Sequence, residues 1–502
     1  MLGLASSPLD PLRKGSEHDW HLLKKDLKNY PHFDRIISAS EAEAYVRDPA
    51  IVARHNFFPF IQYVKRWKCF RKKDKPARWK KRKIRYAARL DSYIFSYYRH
   101  LLNYRYENEL VRLGIASSVL AYRRIPIPGR PGNKCNIHFA CDAFDKIEQL
   151  GDCSAIALDI SSYFESLDHA ILKKLWCEML GACKLPEDHL HVFDAITRYS
   201  WVEKEMVYGR LGHFGKKLSS TGQVVNRYLT PSRKIPKCLC NGKIFRGKIA
   251  GSRELKSIIR KNKVSYGIPQ GAPLSDLLAN IYLIKFDKIA SDLANELGGV
   301  YFRYSDDILL LVPGGEQIGK QLMIRVSQMI AEFGGQLRLK EAKSLLIAFE
   351  RHNGYLRYNC SSGGQRKNGL EYLGFRFDGK RVYLRDSSLS NLLRKTAWAA
   401  RREAEACARN YPEKTAAQLK CCFNYERLLK KFCRVEDFGE MSKDYRKWTF
   451  WTYARRASRE FGSRGRPIMR QVKKYRRFII DRANDAMESA ATRHKRLKTN
   501  QL

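Results

Sequence analysis

The chain has 502 residues, 44% of them hydrophobic, and its 95 Lys and Arg face 51 Asp and Glu, a formal charge of +44. That length and apolar content exclude wholesale disorder and a small stapled scaffold, and leave room for roughly two to four domains. So large a positive surplus repels itself unless a polyanion lies against it, and nucleic acid is the expected partner.

The first nineteen residues, MLGLASSPLDPLRKGSEHD, show neither a basic leader nor a long apolar core, so no secretory signal is expected. Residues 65–85, KRWKCFRKKDKPARWKKRKIR, hold thirteen Lys or Arg interleaved with Trp67, Phe70 and Trp79. Cations that neutralise phosphates beside rings that stack on unpaired bases make Lys65, Arg66, Trp67, Lys80, Lys81 and Arg82 candidate RNA contacts, although a solvated loop would read similarly. A helix follows, with Ile94, Tyr98, Leu101, Leu102 and Leu113 at helical spacing and Gly114 as its stop.

YRRIPIPGRPGNKCN, residues 122–136, reads as a strand, a Pro/Gly loop and a return strand. SAIALDI, residues 154–160, is a short apolar strand ending in the carboxylate of Asp159. The stretch from Leu167 to Val264 turns basic and turn-rich after its first helices, as an insertion would. GIPQGAPLSDLLANIYLIKF, from Gly267, begins as a Gly/Pro turn and becomes a helix. FRYSDDILLL, from Phe302, sets Asp306 and Asp307 at the tip of an apolar hairpin.

An amphipathic helix is expected over 321–333, with Leu322, Val326, Met329, Ile330 and Phe333 on one face and Gly334 and Gly335 ending it. YLGFRFDGKRVYL, from Tyr372, is a hairpin around Asp378 and Gly379. From about Ser388 the pattern is helical and basic to the end, a second domain by composition. No apolar run reaches the roughly 18 residues a membrane span needs, so no membrane partner is expected. The thirteen cysteines form no paired C-x-x-C framework and read as reduced core thiols of a cytoplasmic protein; a zinc site on Cys238 and Cys240 lacks two further ligands. Strands with helices arriving in mixed order point to an α+β fold.

Two carboxylates crowded at a hairpin tip repel each other and lose hydration unless a divalent cation compensates them, and magnesium prefers such oxygen ligands. Asp159, also at a strand end, is the best third acid, and a pair of metals so held would promote in-line phosphoryl displacement. Taken singly, Asp306 and Asp307 would equally suit a polar turn, and Asp159 a strand-end or helix-capping acid.

Four ordered blocks resemble the reverse transcriptases: LDISSYFESLDH at 158–169, YGIPQGAPLSDLLANIYL at 266–283, YSDD at 304–307 and YLGFRF at 372–377. The similarity covers roughly residues 85–385. It implies a right-hand polymerase fold, with fingers and an antiparallel-sheet palm over 85–385, interrupted by a basic insertion at about 185–264. A basic, helical extension over 1–84 and a helical thumb-like RNA-binding domain over 386–502 would flank it. On that resemblance Asp159, Asp306 and Asp307 are catalytic and hold two Mg²⁺ ions, with Mn²⁺ as a substitute.

The resemblance also implies that Gln270 lines the nucleotide pocket and that Phe164 is an aromatic gate selecting dNTPs, a core Phe being the other reading. Arg123, Arg124 and Lys134 fall on the fingers segment that grips a triphosphate, in family terms, and Lys340 or Lys343 where a lysine nears the leaving pyrophosphate, a solvated charge being the alternative for either. Tyr304, Gly374 and Phe375 correspond to primer and template contacts, the last two as a primer grip.

Within the family, IRYAARLDSYIFSYYRHLL, AYRRI and DISSYFESLDH are similar to bacterial defence-associated reverse transcriptases, which implies a structured non-coding RNA as scaffold or template, a DNA product and an antiphage role. A homo-oligomer is compatible with this. From the sequence, neither an endonuclease with paired cysteines nor a ribonuclease H segment is expected after the thumb-like region. Three alternatives stay open: an intron-type or retron-type enzyme, an untemplated or protein-primed polymerase of the same fold, and an RNA-binding scaffold with an idle site.

Overall fold

The computed structural model describes residues 19–68, 79–218, 222–360, 368–433 and 449–499. Residues 69–78 of the basic stretch, with Phe70, lie outside the described residues, as do residues 1–18 and part of the expected C-terminal helical run at 434–448. In chain order the strands are β1 (Phe60–Lys68), β2 (Trp79–Tyr86), β3 (Cys153–Asp159), β4 (Ser200–Glu203), β5 (Phe214–Leu218), β6 (Val224–Tyr228), β7 (Arg260–Lys261), β8 (Val300–Tyr304), β9 (Asp307–Pro313), β10 (Leu345–His352), β11 (Tyr355–Cys360), β12 (Leu370–Tyr372), β13 (Phe375–Phe377) and β14 (Val382–Leu384). With the long helices between them they make an α+β fold whose strand pairs are mostly antiparallel.

The chain forms two compact units. The first takes the described residues of 1–126, 156–310 and 320–344. Its helix Arg89–Arg112 exists because Ile94, Tyr98, Leu102, Tyr106 and Leu110 recur at four-residue spacing, and all five are buried. It stops where expected, Gly114 taking a left-handed φ of 71° that a side chain would resist. One sheet runs β2-β1-β4-β7, with β1 and β2 antiparallel from Ile61↔Tyr86 outward and β1 parallel to β4.

In a second sheet β9 lies between β3 and β8. Ile308, Leu309, Leu310, Leu311 and Val312 of β9 are all buried, as are Ala155, Ile156 and Leu158 of β3. An unbroken apolar run is what a strand covered on both faces requires. Each Val, Leu or Ile among them contributes on the order of 1.5–3 kcal/mol when buried.

The Gly267 stretch becomes two helices, Ser275–Tyr282 and Ile284–Glu296, broken at Leu283. The Leu167–Val264 stretch is folded. Helices His169–Leu180 and Glu187–Thr197 open it, and its basic remainder packs Val207, Tyr208, Ile235, Leu239, Ile249 and Ile258 into a core of their own with Phe33, Ile61 and Val202.

The second unit takes residues 127–155 and 311–319 and the described residues of 345–502. Here the expected strand, loop and return strand over 122–136 are corrected. Residues 127–135 form no strand and are turned tightly by Ile127 N–H donating to Gly132 C=O at 3.1 Å; a helix, Asn136–Leu150, begins where the return strand was expected. Pro126, Pro128 and Pro131 carry no N–H, so a ladder cannot run through them. The hairpin at Asp378 and Gly379 forms between β13 and β14, and β12 adds a third antiparallel strand.

The helical C-terminal part pairs helix Asp386–Asn410 with helix Tyr475–Thr499. Their shared core is rich in alanine, with Ala400, Ala404 and Ala408 beside Ala483 and Ala490, which lets two long helices approach closely. No described cysteine takes part in a disulfide, and Cys183, Cys238, Cys421 and Cys422 are exposed, so the expectation of core thiols is corrected for these four. Among the described residues no helix is long and apolar enough to cross a membrane.

Candidate active site

Three acids lie on adjoining strand ends of the first unit. β3 ends at Asp159, and the next amide, Ile160 N–H, donates to the carbonyl of Asp306 at 3.0 Å. One backbone hydrogen bond therefore brings the two acid-bearing segments together. Asp159 is 5% exposed, Asp306 is half-buried and Asp307, the first residue of β9, is exposed.

The turn that presents Asp306 is strained. Ser305 has a φ of 61°, the left-handed region that costs a non-glycine residue roughly 1–2 kcal/mol. What holds it is a set of groups that the sequence did not single out. Arg303 is wholly buried, donates to Ser305 C=O at 3.2 Å and to Asn280 Oδ1 at 3.0 Å, and forks onto both oxygens of Asp287 at 2.6 Å. Tyr301 donates to the same carboxylate at 2.7 Å. From the other side the hydroxyls of Tyr122 and Ser305 are 3.0 Å apart. Burial, and to a lesser degree the charge of Asp306, holds the Tyr122 hydroxyl above the usual phenol range, against the opposing effect of that hydrogen bond. A signal was present: Tyr301 and Arg303 lie on the buried side of β8 with Ser305 continuing the alternation just after it, and an arginine on a buried face demands a partner.

The carboxylate of Asp159 is gripped by two lysines, Lys340 Nζ at 2.5 Å from Oδ1 and Lys343 Nζ against Oδ2. Their segment is fastened by its backbone, with Lys340 N–H donating to Asp159 C=O at 2.8 Å and Ser161 N–H to Arg338 C=O at 2.7 Å. Among the described residues no three His, Cys, Asp or Glu side chains are gathered closely enough to share a metal ion. The Asp159 oxygens are turned to ammonium groups instead. The donor set still suits a hard divalent cation: carboxylates only, on touching strand ends, one buried, one half-buried and one exposed.

Phe164 is half-buried on the short turn Tyr163–Glu165, and its carbonyl accepts from Ile268 N–H at 2.8 Å. Gly267 N–H donates to Leu167 C=O at 2.7 Å, so the Pro269–Gln270 loop is stitched to the segment after Asp159. The carbonyl of Gln270 accepts from Arg85 N–H at 2.9 Å, which ties the same loop to β2. Gly271 makes that approach possible: its φ is 117°, and a Cβ there would sit 2.6 Å from Arg85 C=O.

The other candidates are dispersed. Arg123 has a 2% exposed side chain committed to Glu107, Ala116 C=O and Val119 C=O, whereas Arg124 is exposed. Tyr304 is half-buried at the end of β8. In the second unit Lys134 pairs with Asp142 at 2.7 Å. Leu373 and Gly374 make the turn between β12 and β13, and the Phe375 ring is fully buried against Tyr453 and Phe461, so that ring is not offered at the turn. Along β1 and β2, Lys65 faces Arg82, Arg66 faces Lys81 and Trp67 faces Lys80; the five cations are exposed, and Arg82 lies 6.0 Å from the Trp67 ring centre. Opposed positions share a face, so the hairpin is basic on both sides.

Residues 223–377 match the family model described as reverse transcriptase (RNA-dependent DNA polymerase). That stretch is under a third of the chain; it contains the Gln270 loop, Asp306, Asp307 and the Gly374 turn, and leaves Asp159 outside. No curated protein matches. Among solved structures, an apo telomerase from Candida tropicalis truncated from its C-terminal domain overlaps 72% of this chain and 64% of its own, at 9% identity and a TM-score of 0.38. A telomerase from Candida albicans in complex with a fragment of telomeric RNA overlaps 90% and 64%, at 12% identity and a TM-score of 0.33. The chain thus spans less than two thirds of either protein, and overlaps this loose assign no function.

Proposed function

We propose that the chain is an RNA-directed DNA polymerase that extends a 3′-hydroxyl with dNTPs. The observation that carries this reading is the hydrogen bond from Ile160 N–H to Asp306 C=O, which joins the two acid-bearing strand ends; the family match over 223–377 supports it. Asp159, Asp306 and Asp307 would hold two Mg²⁺ ions, which supply an activated hydroxyl and charge compensation for the leaving pyrophosphate.

The chain's own residues do the rest. Arg303, Asp287 and Tyr122 keep the Ser305 turn in its strained shape and so aim Asp306. Lys340 and Lys343 neutralise Asp159 while substrate is absent; Lys343, at 47% exposure against 35%, is the better triphosphate contact of the two. Phe164 lies against the sugar and rejects a 2′-hydroxyl, its position coupled to the Gln270 loop through Ile268. The basic hairpin of β1 and β2 carries RNA.

The finer reading is a bacterial defence-associated enzyme with a structured non-coding RNA, and its genomic neighbours test it. An intron ribozyme or a branched-RNA gene beside it would replace that reading with an intron-type or retron-type one. Purified protein with its RNA should incorporate dNTPs, and Asp306→Ala with Asp307→Ala should abolish this. Wild-type synthesis by that double variant would refute the site. Product sequence unrelated to any RNA present would mean untemplated or protein-primed synthesis. The engagement of both Asp159 oxygens by lysines favours a second reading, an idle RNA-binding scaffold, which predicts tight RNA binding with no incorporation by wild type.

A further inference from the structure

Residues 204–263 carry sixteen Lys or Arg and two acids. Such a density ordinarily belongs to an unfolded tail, yet this segment is folded around Val207, Tyr208, Ile235, Leu239, Ile249 and Ile258. Its cations are therefore held at fixed places close to one another, with their repulsion uncompensated from within. Lys216, Lys217, Arg227, Lys243, Arg246 and Lys248 are all exposed, and none makes an ion pair with a described residue. The hairpin of β5 and β6 sets Lys217 opposite Val225 and Gly215 opposite Arg227, with Tyr228 47% exposed beside them.

Beside this surface is a cavity of about 570 Å³ lined by Trp201, Ser257, Ile259, Arg260, Lys261 and Lys263. It sits at the sheet edge, where Trp201 of β4 faces Arg260 of β7 and Ser200 faces Lys261. The indole is held in place by Arg85, whose guanidinium lies 5.0 Å from the ring centre. Glu203, 3.9 Å from Arg260, is the one acid paired with a lining cation among the described residues. An aromatic and aliphatic wall with three cations at its rim suits a planar base attached to a phosphate.

Edge strands do carry lysine simply to block pairing with another chain. One or two charges suffice for that, and this segment has an excess of fourteen.

We propose that the described residues of 204–263, with Trp201, form a docking surface for single-stranded nucleic acid. The Trp201 cavity takes one unstacked nucleotide and the exposed cations take backbone phosphates. Nothing in this requires catalysis, and none of its residues belongs to the acid cluster or to the hairpin of β1 and β2.

The test uses the full chain and short unstructured labelled oligonucleotides, oligouridine and oligothymidine, with an RNA hairpin duplex as a third probe. Binding is followed by anisotropy across a salt series. Two triple variants are compared with wild type: Arg260→Ala, Lys261→Ala, Lys263→Ala at the cavity, and Lys243→Ala, Arg246→Ala, Lys248→Ala on the open surface. Each should bind both single strands about tenfold more weakly, and the slope of log affinity against log salt should shrink by about two, at roughly 0.7 per lost phosphate contact. The cavity triple should cost the duplex less, because a paired base cannot enter. Equal affinity for RNA and DNA strands would mark backbone and base as the determinants, and preference for oligouridine would add the 2′-hydroxyl; either supports the surface.

Photo-crosslinking of a thiouridine-bearing strand to wild type should label the peptide containing Trp201 or that spanning 257–263, which needs no variant to fold. Wild-type affinity and salt slope in both triples would overturn the proposal. So would equal duplex and single-strand losses at the cavity, or tighter binding of polyglutamate or anionic vesicles than of either strand at one salt concentration. If wild type incorporates nothing while the triples lose binding, the polymerase reading falls and this one stands.

Discussion

Charge is handled in opposite ways at β8 and at the β5–β6 hairpin. In β8, Arg303 is fully buried and each of its contacts is matched, by Asp287, by Asn280 and by the Ser305 carbonyl. On the hairpin, Lys216, Lys217 and Arg227 are exposed and make no ion pair among the described residues. A matched buried charge tolerates no alternative arrangement, because any shift leaves it desolvated and alone. An unmatched exposed charge constrains nothing inside the fold and is available to something outside it. The first arrangement determines where an acid points; the second offers binding.

The sharpest way to break this comparison is to remove one half of the buried pair. Arg303→Ala leaves Asp287 buried without its partner and should destabilise the protein by about 3–5 kcal/mol, read by urea unfolding. Replacing both, as Arg303→Met with Asp287→Leu, should recover most of that stability. Incorporation should stay low, since the Ser305 turn has lost its clamp. Full activity in the double variant would mean that the pair serves stability alone.

Gly271→Ala comes next. A left-handed φ and a Cβ driven against Arg85 C=O should cost about 1–3 kcal/mol, seen as a lower melting temperature together with reduced incorporation. Lys340→Ala and Lys343→Ala remove partly exposed ion pairs, so solvent screening keeps each stability change below about 1 kcal/mol. Their effect should appear in synthesis instead, with Lys343→Ala raising the dNTP concentration needed for half-maximal rate more than Lys340→Ala does. At the small end, each of the six cations replaced on the basic segment should by itself change unfolding by no more than about 0.5 kcal/mol while RNA affinity falls.

Much of the architecture could be read from local pattern. The apolar runs of β3 and β9, the helix over 89–112 stopping at Gly114 and the turn at Asp378 and Gly379 need only side-chain periodicity and turn chemistry. The helix expected over 321–333 forms as Glu316–Glu332, begun one turn early. The hairpin over 122–136 misled because β-branched and proline residues alternate there, and the prolines remove the donors a ladder needs. The acids themselves were legible as types of residue in a suggestive place. That two lysines hold Asp159, and that Arg303 and Tyr122 hold the Ser305 turn, was not.

By itself the sequence determined the α+β class, the buried strands, the basic character and the positions of the carboxylates, since each depends on neighbours a few residues away. Only the tertiary structure decided which strand end meets which. It also decided that the apolar residues of 204–263 share a core with Phe33, Ile61 and Val202 and that an arginine in β8 is matched beneath the turn. Those outcomes turn on pairings between distant segments, whose energies come from burial and hydrogen bonds that exist only once the chain has closed on itself.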